Sequence, residues 1–313
     1  MGGVTPAFWL PVGLLFLLVA MPLLAEFLRH PVDAQVRARA PGSFANLPQG
    51  RTHYRWAGPE RGPVVVCIHG LSTPSYIFAA TERSLAAQGN RVLVYDLYGR
   101  GYSARLRGAQ TVDFFLSQLK ALLAKQGVGG PVAVVGYSMG GLIATAFAAE
   151  EGARVEALIL IAPAGILPMA NGWRERLWSA PVVGDWLMRV LGGWALKREL
   201  VEHEHGPTVI PDLEDRQAAE TRMRGYLPAI LSARRHTLSV LVDEDHKALF
   251  DRGTPVLSIW GPSDPVVPLA AMGRLAEINP DAHHAQIPGA GHIMPQTHPA
   301  QVAEVLADFL SRR

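Results

Sequence analysis

Val132-Ala133-Val134-Val135-Gly136-Tyr137-Ser138-Met139-Gly140-Gly141-Leu142 is the stretch that decides how this chain folds. Residues 132–137 are apolar without polar alternation, as a strand covered on both faces must be. The pattern G-x-S-x-G follows, and an apolar run of helical character begins at once. A strand, a sharp turn and a helix form the setting in which a serine is lifted off the carboxyl end of a sheet as a nucleophile. The glycines answer a steric need: so tight a turn strains its central residue and leaves no space for neighbouring Cβ atoms.

Working outward, runs of the same kind recur. Residues 64–69, 91–96, 157–162, 256–260 and 284–288 read as further strands, and 78–87, 112–126, 142–151, 270–278 and 300–312 as helices. The alternation predicts an α/β domain with a doubly wound, mostly parallel sheet over residues 51–313. Roughly ninety residues part the strand ending at Ala162 from the one near Thr254, where a connection of about 2–6 is usual. A helical cap inserted at about 165–250 is therefore expected. It holds Trp173, Trp178, Trp186 and Trp194, four of the seven tryptophans, which would suit an apolar underside facing a greasy substrate.

A serine hydroxyl is a poor nucleophile at neutral pH and needs a base, which needs an orienting acid. Asp264 stands just past the strand 256–260 in Gly261-Pro262-Ser263-Asp264-Pro265, and His292 just past 284–288 in Gly289-Ala290-Gly291-His292. The chain order Ser138, Asp264, His292 is that of an α/β nucleophile elbow with its triad partners. Asp243 and Asp245 remain alternative acids. His69 reads as the residue that fixes the loop after its strand, and Asp96 as the anchor of the Gly99/Gly101 turn. Glu202-His203-Glu204-His205 reads as a solvated stretch, because residues two apart do not share a helix face. His283 and His284 have no partners at metal-ligand spacing.

These motifs together, His69-Gly70, Asp96-x-x-Gly99-x-Gly101-x-Ser103, the Ser138 elbow, Gly261-x-x-Asp264-x-x-x-Pro268 and Gly289-x-Gly291-His292, resemble the α/β-hydrolase superfamily over residues 51 to 313. Within it the chain is similar to carboxylesterases and membrane-anchored monoacylglycerol lipases. The resemblance implies an oxyanion hole made by the backbone N–H groups of Leu71 and Met139. It also implies hydrolysis of a carboxylic ester, acyl or lipid, through an acyl-enzyme, with no metal or organic cofactor. Carbon–carbon bond hydrolysis and perhydrolysis with the same triad form the second reading. Carbon–carbon hydrolases of this fold carry a His-Gly-x-Gly-Pro-Gly loop, from which His69-Gly70-Leu71-Ser72-Thr73-Pro74 departs. Epoxide hydrolases and dehalogenases place Asp where Ser138 stands.

Composition bounds the partners. Of 313 residues 49% are apolar and 18% charged, enough for a full core, and the net charge is only +2. No Lys/Arg run or recognition motif supports nucleic-acid binding. Cys67 is the single cysteine and lies in an apolar run, which predicts a buried strand residue. Residues 8–24 are apolar, and 7–28 is just long enough to cross a bilayer, so 1–28 is expected to be a transmembrane anchor with 29–50 as linker. A cleaved signal peptide is the competing reading, disfavoured by an n-region without Lys or Arg and by Ala38-Arg39-Ala40 lying far downstream. Arg29, Arg37 and Arg39 would keep the domain on the cytoplasmic side.

Overall fold

The computed structural model describes residues 6–168, 172–203 and 208–312. Its centre is an eight-stranded sheet: β1 (Ser43–Asn46), β2 (Arg51–Ala57), β3 (Val64–Ile68), β4 (Arg91–Tyr95), β5 (Val132–Tyr137), β6 (Val155–Ile161), β7 (Val256–Trp260) and β8 (His283–Gln286). The spatial order is β1-β2-β4-β3-β5-β6-β7-β8. β1 and β2 pair antiparallel and β2 joins β4 antiparallel, whereas every pair from β4 to β8 is parallel.

The lack of polar alternation in the central strands has a direct cause. Val66, Leu93, Val134 and Leu160 pack into one apolar layer with Leu119 and Phe147, while Val65, Val92, Val135 and Ile159 pack into another with Leu85 and Leu306. Alternate residues thus leave opposite faces of the sheet, and both faces are covered. The first layer is closed by helices α4 (Val112–Lys125) and α5 (Met139–Glu151), which follow α3 (Ala79–Ala87) in the chain; the second by α3 and the last helix, Pro299–Ser311. Cys67 lies in the second layer, fully buried, and burial pushes its thiol pKa up.

The residues before β2 differ from the expected linker. β1 is the sheet's edge strand, and Leu47 and Gly50 exchange backbone hydrogen bonds of 3.1 and 3.2 Å across the turn that joins it to β2. Between β6 and β7 come α6 (Trp173–Ser179), α7 (Val183–His203), α8 (Leu213–Thr221), α9 (Tyr226–His236) and α10 (Asp243–Asp251). A small apolar core of Met188, Leu196, Tyr226, Leu227, Ile230 and Leu231 joins α7 to α9. α10 instead adds Leu249 to the main core beneath α5. The remaining helices are α11 (Ala270–Ile278), α12 (Met294–Thr297) and α13 (Pro299–Ser311).

The N-terminal segment requires a correction. It forms α1 (Pro6–Phe27), followed by the short α2 (Ala34–Ala38), yet among the described residues no helix is long and apolar enough to cross a membrane. The backbone ladder of α1 is itself interrupted. Pro11 and Pro22 lie inside it, each removing a backbone donor. Its polar groups are tied to the insertion: Trp186 Nε1 donates to Leu18 O at 2.8 Å, and Glu26 accepts from Gly225 N. The expected transmembrane anchor, the membrane partner and the localisation derived from them do not hold.

Candidate active site

Ser138 ends β5 and caps α5 with φ 54° and ψ −121°, a backbone conformation that costs energy for any residue with a Cβ. Its neighbours show why glycine is needed on both sides. A Cβ on Gly136 would sit 2.4 Å from Gly140 O, and one on Gly140 would sit 2.0 Å from Ile68 O. The turn is pinned by Ser138 N–H donating to Ile161 O at 2.9 Å and by Ser138 O accepting from Gly141 N and Ala164 N.

The three residues singled out in the sequence lie in one line. His292 Nε2 is 3.0 Å from Ser138 Oγ, and His292 Nδ1 is 2.8 Å from Asp264 Oδ2. Asp264 is almost wholly buried, and its other oxygen accepts from Val266 N and Val267 N at 2.8 and 2.9 Å. The carboxylate is thereby held in one orientation. The loops that carry Asp264 and His292 touch through Gly261, where a Cβ would meet Ala290 O at 2.4 Å, and Ser263 N donates to that same oxygen at 3.0 Å. Asp243 lies elsewhere, at the start of α10 and paired with Arg274; Asp245, on the same turn of α10, lines a different cavity.

The loop after β3 approaches the serine from the other side, with a Cβ on Gly70 falling 3.2 Å from Ser138 Cβ. His69 is fully buried; its Nδ1 is 2.9 Å from Gly70 O and its Nε2 accepts from Leu97 N at 2.9 Å. The accepting Nε2 leaves the proton on Nδ1, which donates to Gly70 O. Burial holds the ring pKa down at about 4, so it stays neutral. Because Gly70 C=O and Leu71 N–H belong to one planar peptide and point oppositely, His69 sets the direction of the Leu71 N–H. Arg100, also buried, donates to Leu71 O at 3.0 Å and to Ala229 O of α9 at 3.4 Å, a support that no motif in the sequence announces. Met139 N–H heads α5, where the helix dipole presents its positive end.

Ser138 and His292 open into a cavity of about 510 Å³, lined on the sheet side by Leu71, Pro163, Leu167 and Val266, and on the inserted side by Leu196, Glu199, Arg234 and Leu238. None of the four insertion tryptophans lines it. Trp173 and Trp194 are exposed and Trp178 packs on the α7–α9 core, so the apolar underside is aliphatic rather than aromatic. Arg234 Nη2 holds both oxygens of Glu199 at 2.7 and 3.0 Å. Asp96 lies outside the cavity. Its Oδ1 accepts from Ser75 N at 3.0 Å, and its Oδ2 meets His53 Nδ1 at 2.8 Å and Tyr102 N at 2.9 Å. His284 Nδ1 is engaged by Ser258 Oγ at 2.7 Å. The acidic and histidine pairs at 202–205 lie outside the residues whose side chains are described.

The chain is similar to a pimeloyl-[acyl-carrier protein] methyl ester esterase of Chromobacterium violaceum, 30% identical over 258 residues that cover 80% of this chain and 95% of the relative. It is also 26% identical over 295 residues to a dihydrolipoyllysine-residue acetyltransferase component of an acetoin cleaving system of Pseudomonas putida, covering 92% of this chain and 74% of the relative. Among solved structures, the enol-lactonase of Burkholderia xenovorans superposes with a TM-score of 0.72 at 20% identity, over 86% of this chain and all of the other, and speaks for the fold alone. The narrower likeness to membrane-anchored monoacylglycerol lipases, which rested on the anchor and the apolar cap, is not shown by these comparisons. A model of the alpha/beta hydrolase fold family matches residues 63–299, and the chain belongs to that family of hydrolases.

Proposed function

We propose that the protein hydrolyses carboxylic esters of apolar acyl groups through a covalent acyl-enzyme on Ser138. The observation that carries this reading is the unbroken line from Asp264 through His292 to Ser138, 2.8 and 3.0 Å, at the floor of an apolar cavity. The similarity to an esterase supports the reaction type.

In this reading Ser138 Oγ attacks the ester carbonyl carbon while His292 Nε2 takes the hydroxyl proton. Asp264 keeps the remaining proton on Nδ1 and stabilises the imidazolium that forms. The carbonyl oxygen becomes negative and is met by the N–H groups of Leu71 and Met139, an interaction of a kind whose loss costs about 2.7–4 kcal/mol. As the tetrahedral adduct collapses, His292 gives the proton to the leaving alkoxide. Water then repeats the sequence on the acyl-enzyme, releasing the acid and restoring Ser138.

The test is hydrolysis by the full chain of aryl esters from acetate to palmitate and of a monoacylglycerol, beside Ser138→Ala. Turnover lost in the variant, with a chain-length maximum set by the cavity, is the expected result. The same panel includes a dienoic ring-cleavage product and peracid formation from acetate and hydrogen peroxide. Turnover there, without ester turnover, replaces the ester reading with the second one drawn from the sequence.

A further inference from the structure

A second cavity, of about 930 Å³, runs between the end of α1, the loop 105–110 and helices α7 and α9. Arg37, Arg105, Arg107, Arg189, Arg224 and Arg235 line it, against only two carboxylates, Glu26 and Asp185. Both carboxylates are already engaged. Glu26 holds Arg29 at 2.6 Å and accepts from Gly225 N; Asp185 is shared between Arg189 at 3.1 Å and Arg235 at 2.9 Å. Arg105 also lies 3.6 Å from Glu220 behind the groove, yet the lining side chains still carry more positive than negative charge, and a concave low-dielectric wall concentrates such a field.

Two of these guanidinium groups carry a donor without an acceptor. The Nε atoms of Arg105 and Arg224 are buried and unpartnered among the described residues, although the terminal nitrogens of Arg105 reach Ser103 O and Gly101 O and one of those of Arg224 reaches Phe27 O. A buried N–H left without an acceptor is destabilising. An oxyanion placed between forked guanidinium groups answers the surplus charge through charge-assisted hydrogen bonds.

We propose that this groove is a binding site for an organic phosphate. A phosphate ester brings up to two negative charges and three acceptor oxygens, the match for several converging arginines, where a single carboxylate offers one charge and two. Leu23, Phe27, Val32 and Leu106 line the same groove and supply contact for the carbon part of the molecule. Helix α9 separates this site from the Ser138 cavity, with Arg235 facing the groove and its neighbour Arg234 lining the cavity.

The experiment is calorimetric titration of the full chain with glycerol 3-phosphate, with monomeric dihexanoyl phosphatidate and with glycerol, at low salt and at roughly 0.5 M salt, where surface charge is screened. The expected result is one-to-one binding of a phosphate that weakens with salt, absent for glycerol and unchanged in Ser138→Ala. Arg224→Gln and Arg107→Gln each weaken it at least fivefold. Tighter binding of the phosphatidate identifies a lipid headgroup as the source, and equal binding a free phosphate ester. Arg107 is exposed on its loop, so its substitution keeps the test valid should Arg224→Gln fail to fold. No phosphate binding, or binding unchanged in both arginine variants, overturns the proposal.

Discussion

Two histidines in this molecule hold an aspartate at the same distance. His292 Nδ1 lies 2.8 Å from Asp264 Oδ2, and His53 Nδ1 lies 2.8 Å from Asp96 Oδ2. The pairs differ at the second nitrogen. His53 Nε2 meets Pro41 O, so both ring nitrogens face acceptors and both must carry protons. Burial pulls the His53 pKa down, but the hydrogen bond and charge of Asp96 outweigh it and the net direction is up. His292 Nε2 instead meets Ser138 Oγ, a hydroxyl able to donate, beside open space. An aspartate on a histidine is thus no mark of chemistry by itself. What distinguishes a base from an internal ion pair is a donor at the far nitrogen and room for a substrate.

Removing each histidine in turn separates the two pairs. His292→Ala is expected to lower kcat for the ester substrate by roughly 10⁶-fold with the unfolding midpoint in urea unchanged. Asp264→Asn, which keeps the shape and loses the orienting charge, is expected to cost roughly 10⁴-fold. His53→Ala acts on the other quantity. It leaves the buried Asp96 carboxylate without its cation, at about 3–5 kcal/mol of stability, while kcat of the folded protein stays at the wild-type value. A His53 variant that is stable but inactive would reverse the assignment of the two pairs.

A smaller effect is expected beside the closed pair. Glu220 of α8 accepts from Gly101 N at 3.1 Å and lies 3.6 Å from Arg105. Burial, aided by the nearby Asp96 charge, raises its pKa from 4.5 to about 7. The folded state therefore holds a proton that the unfolded state has lost, and the stability this contributes is full below pH 4.5 and lost as pH rises through about 7. The linkage amounts to about 3 kcal/mol at most. Denaturation of Glu220→Gln across this range should lack that decline and keep only the loss from His53, which begins nearer neutral pH. A wild-type slope that persists in Glu220→Gln contradicts this role.

The elements that were legible in the sequence are those with a single possible environment. Residues 64–68 or 132–137 must be covered on both faces, and the glycines at 136 and 140 admit no other residue at a turn where backbone atoms approach to within a Cβ radius. The hairpin of β1 and β2 was not legible, because Ser43–Asn46 and Arg51–Ala57 mix buried and open positions and the intervening Pro48 and Gly50 read as linker residues. The tryptophans of the insertion misled for a related reason: aromatic content says that a surface is to be covered, not by what. α1 shows the same limit, since apolar length alone did not foretell hydrogen bonds to Trp186 and Gly225.

By itself the sequence determined the layered α/β architecture and the identity of Ser138, Asp264 and His292 as the residues to examine, because strand periodicity and tight-turn sterics are local and leave few solutions. Only the tertiary structure decided which histidine–aspartate pair opens on a cavity, which carbonyl His69 and Arg100 hold, and where six arginines converge. Those depend on distances between segments that are not neighbours along the chain, and such distances are set by packing of the whole chain rather than by any stretch of it.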